Sequence, residues 1–210
     1  RHLSAADIAE KYNYEQVAVY DCDIWFPQRY LSVFEQVTNQ DSLFCAYDLY
    51  RCTFLTACVA EEYHQYVNQQ LDKIENENGY VWQAGIIVAN KKAWLDYKTY
   101  ALSMMEKPEY RMVYGIDATL LNLYSLDNSK GVAHLPERYN CTPVWGVRVD
   151  VGGILSSNGE SIEGLHVTRA HRETGEFSYT KWHKDTYKKN AYKWRHKNYP
   201  YYYISIDSCT

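Results

Sequence analysis

The segment VAVYDCDIWF, residues 17 to 26, places two carboxylates directly after a short apolar run. The run at residues 17–20 is typical of a buried strand. Alternate residues of a strand point to the same side, so Asp21 and Asp23 should converge at its carboxyl end. Carboxylates are seldom buried without a partner, because desolvating an ionised group costs more than one hydrogen bond returns. We therefore expect these side chains either to meet a positive charge or to face water.

Strand-like and helix-like segments alternate along the whole chain, which predicts an α/β fold with a mixed sheet flanked by helices. We expect strands at residues 17–20, 42–50, 81–90 and 163–171, and helices at 4–12, 28–37, 59–75, 91–107 and 116–126. Ser4 is the expected N-cap of the first helix. The turn signal Asn78-Gly79 should stop the helix that begins at residue 59. No internal repeat or long linker divides the sequence, so residues 1–210 are predicted to form a single domain.

Composition excludes several classes of protein. The net charge of −4 argues against bulk binding of nucleic acid. The six cysteines contain no Cys-x-x-Cys pair, which favours reduced thiols over a disulfide framework. No run approaches the roughly 20 apolar residues of a membrane helix, and the polar start RHLSAADIAEKYNYEQ does not resemble a secretory signal. The sequence therefore predicts a soluble, cytoplasmic protein.

Two carboxylates at the end of a strand suit a hard divalent cation. In open α/β sheets, ligands bind at the carboxyl edge of the strands. Carboxyl oxygens there can hold Mn²⁺ or Mg²⁺, which completes its shell with phosphate oxygens and water. The structural alternative is a pair of aspartates that cap a turn.

Two enzyme families place Asp-x-Asp in such a setting. In phosphatases of the haloacid-dehalogenase type, the first Asp is a nucleophile and the second a general acid. In metal-dependent glycosyltransferases of the GT-A fold, the pair holds a nucleotide-sugar diphosphate through the cation. The phosphatase pattern continues with Thr or Val where this chain has Trp25, and no later acidic pair follows in the expected context. The phosphatase is therefore the alternative to the transferase.

Four further segments resemble family eight of the glycosyltransferases, the glycogenin and galactosyltransferase-like enzymes, in the same order as in that family. WQAGIIVANKKAWLDY is similar to the family's F-N-A-G-V-L-L-I-N-L-K-K-W, and GIDATLLNLYS is similar to its D-Q-D-I-L-N. LPERYN resembles L-x-x-R-Y-N, and GLHVTRAH stands in the place of H-F-x-G-x-x-K-P-W. With the Asp-x-Asp pair, the resemblance covers residues 17 to 172. It implies a GT-A-like fold and the transfer of a hexose from a nucleotide sugar, UDP-linked, to a glycan or other hydroxyl acceptor.

The resemblance also implies roles for individual residues. Asp21, Asp23 and His166 would hold Mn²⁺ or Mg²⁺, with Asp21 also able to contact the ribose of the donor. Gln83, Ala84 and Gly85 would line the donor-sugar pocket, Gln83 and Asp117 would be the catalytic residues, and Arg169 and Arg172 would meet the diphosphate. For Asp117 an ordinary helix N-cap is an equal alternative.

The chain departs from the family pattern in several ways. The Gly and Lys that follow the family's metal histidine are replaced here by Arg169 and Arg172. The Gln that follows the first Asp of D-Q-D is Ala118 here, which leaves the stereochemical outcome of transfer open. Only 20 residues precede the Asp-x-Asp pair, so we expect the N-terminal nucleotide-binding part to be shortened or missing. A module that binds carbohydrate or nucleic acid without turnover is the alternative outside enzymology.

The C-terminal segment at about residues 181–203 interleaves basic and aromatic side chains. A solvated basic helix is the ordinary interpretation. Such a mixture can also contact an anionic membrane surface, stack on single-stranded nucleic acid or hold a glycan acceptor. A peripheral membrane contact is the partner this segment suggests beyond the donor and the acceptor, whereas nucleic acid is disfavoured.

Overall fold

The structure is a computed structural model that describes most of the chain as far as residue 166. The described residues are 1–22, 24–26, 31–48, 54–110, 116–141, 148–149, 155–157 and 159–166. They belong to two compact units. Unit 1 comprises Arg1–Tyr20 and Val33–Pro136, and unit 2 comprises Asp21–Ser32 and Glu137–Thr210. The expectation of one catalytic domain stays a prediction.

Unit 1 is built on a four-stranded mixed sheet in the order β1-β4-β3-β5. β4 pairs antiparallel with both of its neighbours, and β3 pairs parallel with β5. Helices accompany this sheet, so the predicted α/β class with a mixed sheet is confirmed. The strands are β1 (Gln16–Tyr20), β3 (Leu43–Asp48), β4 (Val81–Asn90) and β5 (Val132–His134).

Four helices of unit 1 lie close to their predicted positions, whereas a short helix over Phe54–Ala57 was not predicted. Helical spacing of apolar residues places a buried face on each long helix, and α1 packs on α4 and β1 while α3 and α5 pack on β4. A short 3₁₀ turn, Glu61–Tyr63, precedes α3. The helices are α1 (His2–Tyr12), α2 (Phe54–Ala57), α3 (His64–Asn78), α4 (Lys91–Met105) and α5 (Ile116–Asp127).

β4 is the centre of the core of unit 1. Its residues from Val81 to Ala89 are all buried, because strands pair with it on both edges and helices pack against it. A strand covered in this way reads as a nearly continuous apolar run, as VWQAGIIVAN does. Large side chains of the helices complete the core, among them Trp94, Tyr97 and Leu121.

Of two helix ends predicted from the sequence, the structure confirms one and contradicts the other. The predicted stop at Gly79 is confirmed: the glycine adopts φ 76°, and its N–H donates to the carbonyl of Glu75. This left-handed conformation suits glycine because it has no Cβ. The predicted N-cap Ser4 is wrong, since α1 begins at His2 with Arg1 as its N-cap residue. Ser4 lies within the first turn and its N–H donates to the carbonyl of Arg1.

The helix expected over residues 28–37 is a 3₁₀ helix, Ser32–Gln36, in the part that the structure describes. The segment with apolar residues at helical spacing is too short there to sustain several turns of α-helix. Its first residue, Ser32, belongs to unit 2 and forms side-chain bonds within that unit.

Unit 2 contains two small sheets. β2 (Ile24–Trp25) pairs antiparallel with β9 (Leu165–His166), and the register sets Ile24 opposite His166. The second sheet has the order β6-β7-β8, formed by Arg148–Val149, Leu155–Ser157 and Glu160–Ser161. Of the strand predicted at residues 163–171, the structure thus shows Leu165–His166, and residues 167–171 lie outside the described part.

The described residues include four of the cysteines, Cys22, Cys45, Cys58 and Cys141. Burial raises the pKa of Cys45 well above its ordinary value and that of Cys141 to about 12, which favours the neutral thiol in both. Among the described residues, no helix is long and apolar enough to cross a membrane.

Candidate functional site

Asp21 and His166 lie next to each other in unit 2 although they are far apart in the sequence. The Nε2 atom of His166 lies 3.6 Å from the carboxylate Oδ2 of Asp21. The histidine side chain is nearly fully buried, whereas that of Asp21 is about a quarter exposed, at 27%. A buried ring nitrogen and a partly exposed carboxylate oxygen therefore face each other. The structure brings together two of the three residues that the resemblance assigns to the metal.

Backbone pairing on both sides of β9 positions His166. On one side β9 pairs with β2, which begins three residues after Asp21, and the N–H of Ile24 donates to the carbonyl of Asp21. On the other side Cys141 forms a parallel bridge with Leu165. The N–H of His166 donates to the carbonyl of Cys141, and the N–H of Cys141 donates to the carbonyl of Gly164. The histidine is thus held in the middle of a three-segment arrangement.

The other ring nitrogen of His166 also has a defined neighbour. Nδ1 of His166 lies 2.9 Å from Oδ1 of Asn140. Both residues are buried: His166 is 4% exposed and Asn140 is 2% exposed. The imidazole ring is therefore held at Nδ1 by an amide oxygen while its Nε2 faces a carboxylate.

A carboxylate network holds the turn before β9. Glu163 accepts hydrogen bonds from the N–H and the hydroxyl of Ser32, and the hydroxyls of Ser32 and Tyr139 lie 2.7 Å apart. Arg138 donates to the hydroxyl of Tyr139 at 2.9 Å, and its Nε lies 3.7 Å from Glu163. The backbone N–H groups of Glu163 and Gly164 donate to the carbonyl of Arg138. These bonds join three distant segments directly beside His166.

Position 164 requires a glycine because the backbone of Tyr139 lies very close to it. A Cβ atom at this position would lie 2.0 Å from the carbonyl oxygen of Tyr139. That neighbour is backbone, so a side chain could be accommodated only by moving the strand that carries His166 or the turn at residues 137–139.

The donor set around Asp21 and His166 fits a divalent transition metal. Ligand atoms about 2.1 Å from one ion and at about 90–110° to each other lie about 3.0–3.5 Å apart, close to the observed 3.6 Å. A set of one imidazole and one carboxylate suits Mn²⁺ better than it suits Mg²⁺, which prefers oxygen ligands. Asp23 lies outside the described residues, and within the described part no group of three or more metal-ligating side chains occurs.

In unit 1, Gln83, Ala84 and Gly85 lie in an irregular part of β4. The pairing of β3 with β4 shifts between Cys45, which faces Ile87, and Tyr47, which faces Trp82. Residues 83–86 therefore lie opposite the single residue Ala46. Such irregularities re-aim side chains and are common next to active sites. Gln83 and Ala84 are nevertheless buried, at 8% and 7% exposure.

Asn122 fixes β4 at this irregularity. This fully buried side chain accepts a hydrogen bond from the N–H of Trp82 at 2.8 Å and donates to the carbonyl of Trp82 at 2.9 Å. It also donates to the carbonyl of Ala118 within α5. The start of α5, where Asp117 lies, is thereby tied to the residue that precedes Gln83.

Asp117 is in the first turn of α5 and has charged neighbours. Its Oδ2 accepts a hydrogen bond from Nη2 of Arg1 at 2.7 Å, and its Oδ1 accepts one from the N–H of Ala118. Nη2 of Arg1 also donates to the carbonyl of Ala84 at 3.4 Å. Ala84 and Asp117, assigned separately by the resemblance, thus share one guanidinium group.

His2 is the other titratable neighbour of Asp117. Its Nε2 lies 3.9 Å from Oδ2 of Asp117, and its ring packs near those of Trp94 and Tyr97. Burial lowers the pKa of His2 to about 4, although the negative charge of Asp117 acts in the opposite direction. His2 is therefore neutral at pH 7.

Other predicted features lie outside the described residues. These are Asp23, Arg169, Arg172 and the segment at about residues 181–203. Their assignments stay predictions. Asn140, which contacts His166, was not among the predicted site residues. Its place at the end of the LPERYN motif was the signal in the sequence that could have indicated it. Ser32, Glu163 and His2 carried no local signal, because their partners are distant in sequence.

Comparisons with known proteins add no assignment. No family model matches the chain, and no curated protein is significantly similar to it.

Proposed function

We propose that this chain is a metal-dependent glycosyltransferase of GT-A type that transfers a hexose from a nucleotide sugar, UDP-linked, to a hydroxyl group of a glycan or other acceptor. The observation that carries the proposal is the 3.6 Å approach of His166 Nε2 to Asp21 Oδ2. These residues come from opposite ends of the resemblance, and nothing in local sequence spacing requires them to meet.

The reaction breaks the bond between C1 of the sugar and the diphosphate oxygen and forms a bond between C1 and the acceptor oxygen. The acceptor hydroxyl loses its proton, and the nucleoside diphosphate leaves. Mn²⁺, when bound, supplies Lewis-acid neutralisation of the diphosphate. Asp21, Asp23 and His166 are the residues that would hold it.

The remaining proposed roles belong to binding and proton transfer. Residues 83–85 would line the donor-sugar pocket. Asp117 would accept the acceptor proton or stabilise positive charge on the sugar ring. Arg169 and Arg172 would bind the diphosphate, for which a guanidinium is suited by its paired donors.

Calorimetric titration with UDP, with and without MnCl₂, tests the proposal. We expect wild-type protein to bind UDP only with Mn²⁺ present and Asp23→Ala to bind it at least about tenfold more weakly, because one metal ligand is lost. Asp96→Ala is the matched control, since Asp96 is an exposed carboxylate paired with Lys92, and it should bind like wild type. UDP affinity that ignores Mn²⁺, or hydrolysis of a generic phosphate ester without UDP binding, would refute the transferase.

The histidine gives a second, metal-specific test. His166→Ala should weaken Mn²⁺-dependent UDP binding by on the order of tenfold, and should weaken it less with Mg²⁺, which prefers oxygen ligands. Equal losses with the two cations would contradict a direct role for the imidazole.

A further inference from the structure

We propose that Asn140 is a positioning residue for this metal site, because it sets the tautomer and the rotation of His166 so that Nε2 is the coordinating atom. The consequence for metal binding rests on the proposed function. The tautomer itself is a property of the chain without metal and can be measured separately.

The chemistry of the contact selects the tautomer. Oδ1 of an asparagine only accepts hydrogen bonds, so Nδ1 of His166, 2.9 Å away, must carry the proton. In a neutral imidazole the other nitrogen then keeps its lone pair. This nitrogen, Nε2, is the one that faces Asp21 at 3.6 Å. Metal-binding histidines characteristically donate their second ring nitrogen to an oxygen acceptor in this way.

The backbone holds both ends of the contact rigidly. Asn140 directly precedes Cys141, which exchanges hydrogen bonds with Gly164 and His166, and the N–H of Asn140 donates to the carbonyl of Glu137. Asn140 and His166 are both buried. The backbone pairing of β9 therefore keeps the amide and the ring beside each other, so the fold favours this tautomer.

Two substitutions separate the hydrogen bond from the bulk of the side chain. Asn140→Leu keeps a similar volume and removes the acceptor, whereas Asn140→Asp keeps an acceptor for the Nδ1–H. Asn128→Leu is the matched control, because Asn128 is an exposed asparagine that follows α5 in unit 1. Near-ultraviolet circular dichroism shows which variants retain native packing.

The first readout needs no metal. Long-range ¹H–¹⁵N correlation spectra of ¹⁵N-labelled protein at mildly alkaline pH distinguish protonated from unprotonated ring nitrogens, and His166→Gln assigns the signal. We expect a protonated Nδ1 and an unprotonated Nε2 in wild type, Asn140→Asp and Asn128→Leu, and a shift toward the Nε2–H tautomer in Asn140→Leu. An unprotonated Nδ1 in wild type would overturn the inference, whether or not the leucine variant folds.

The second readout is the affinity for Mn²⁺ alone, from titration calorimetry. Loss of such an outer hydrogen bond typically weakens metal binding by about 10- to 100-fold. We expect a loss of this size in Asn140→Leu and a change of a few fold at most in Asn140→Asp. Unchanged affinity in folded Asn140→Leu would overturn the positioning role. A wild-type protein that binds no divalent cation would refute the proposed function, while the tautomer result would still decide the hydrogen bond.

Discussion

His2 is a buried histidine whose surroundings oppose protonation. Only 3% of the residue is exposed, and its ring packs near those of Trp94 and Tyr97. Its pKa is lowered to about 4 chiefly by burial. The folded state therefore binds a proton on this ring less readily than the unfolded chain does, whose ordinary histidine pKa is about 6.5.

This difference predicts a pH-dependent stability. The stabilisation is fully present above about pH 6.5 and is lost progressively toward pH 4, by at most on the order of 3 kcal/mol, because the unfolded chain binds more protons in that range. His2→Phe keeps an aromatic ring and should make the free energy of unfolding fall less between these pH values. Urea denaturation at a series of pH values measures it, and an unchanged pH profile in the variant would contradict the prediction.

Asp117 is the residue whose charge should matter for turnover. We expect Asp117→Asn to lower kcat by on the order of 100-fold with little change in KM, as for a group that acts mainly in the transition state. Stability should change by less than about 1 kcal/mol, since the Arg1–Asp117 pair is about one third exposed.

Asp127→Asn, at the other end of α5, is the control and should leave kcat unchanged. Its carboxylate accepts a hydrogen bond from Tyr100. If Asp117→Asn turns over like wild type, Asp117 is a residue of the helix end alone.

At the scale of elements, Asn122 joins α5 to β4 beside the irregular segment at residues 83–86. Asn122→Ala leaves the N–H of Trp82 buried without this acceptor and should lower the free energy of unfolding by about 2–4 kcal/mol. Asn128→Ala removes an exposed amide just beyond the same helix, whose hydrogen bond to the carbonyl of Tyr124 is long at 3.3 Å, and should cost less than about 1 kcal/mol. Urea denaturation compares the two, and equal effects would show that Asn122 does not anchor the strand.

The close packing of β9 against the turn at residues 137–139 depends on Gly164. Gly164→Ala sets a methyl group against the carbonyl oxygen of Tyr139 and should cost about 1–3 kcal/mol through displaced backbone. Mn²⁺ affinity should fall with it, because the displaced strand carries His166. Ser161→Ala, at an exposed position on β8, is the control for unit 2 and should change neither quantity. A Gly164→Ala protein with wild-type stability and affinity would refute the requirement.

At the scale of the whole molecule, the proposed cation would link segments of unit 2 that are separated in the sequence by β3, β4 and β5 of unit 1. A ligand that binds only the folded state stabilises it by about 2.7 kcal/mol at a hundred times its Kd. For a chain of this size that corresponds to a rise in Tm of about 5–10 °C. We expect this rise in wild type with Mn²⁺ and a rise about half as large in His166→Ala at the same Mn²⁺ concentration, because a tenfold loss of affinity leaves about 1.4 kcal/mol of stabilisation.

His134→Ala is the control for this measurement. His134 is an exposed histidine on β5 of unit 1, and its loss should leave the Mn²⁺-dependent rise in Tm intact. A rise of wild-type size in His166→Ala would place the stabilising cation elsewhere.

Local sequence patterns were sufficient to predict most elements of unit 1. The apolar run of β4, the helical spacing of α4 and α5 and the glycine stop of α3 are each encoded within a few neighbouring residues. The prediction was less accurate for the short segments near the N-terminus. Residues 32–36 form a 3₁₀ helix instead of an α-helix, and α1 begins at His2 instead of after Ser4.

The candidate site depends on contacts that no local pattern contains. The order of motifs implied that Asp21 and His166 share a site, but their distance follows from the pairing of β2 with β9. The partners of His166 at Nδ1 and of Asn122 at Trp82 likewise come from remote segments. Periodicity reports which face of an element is buried, whereas the identity of the group it meets depends on long-range packing, where each buried polar atom must find a partner.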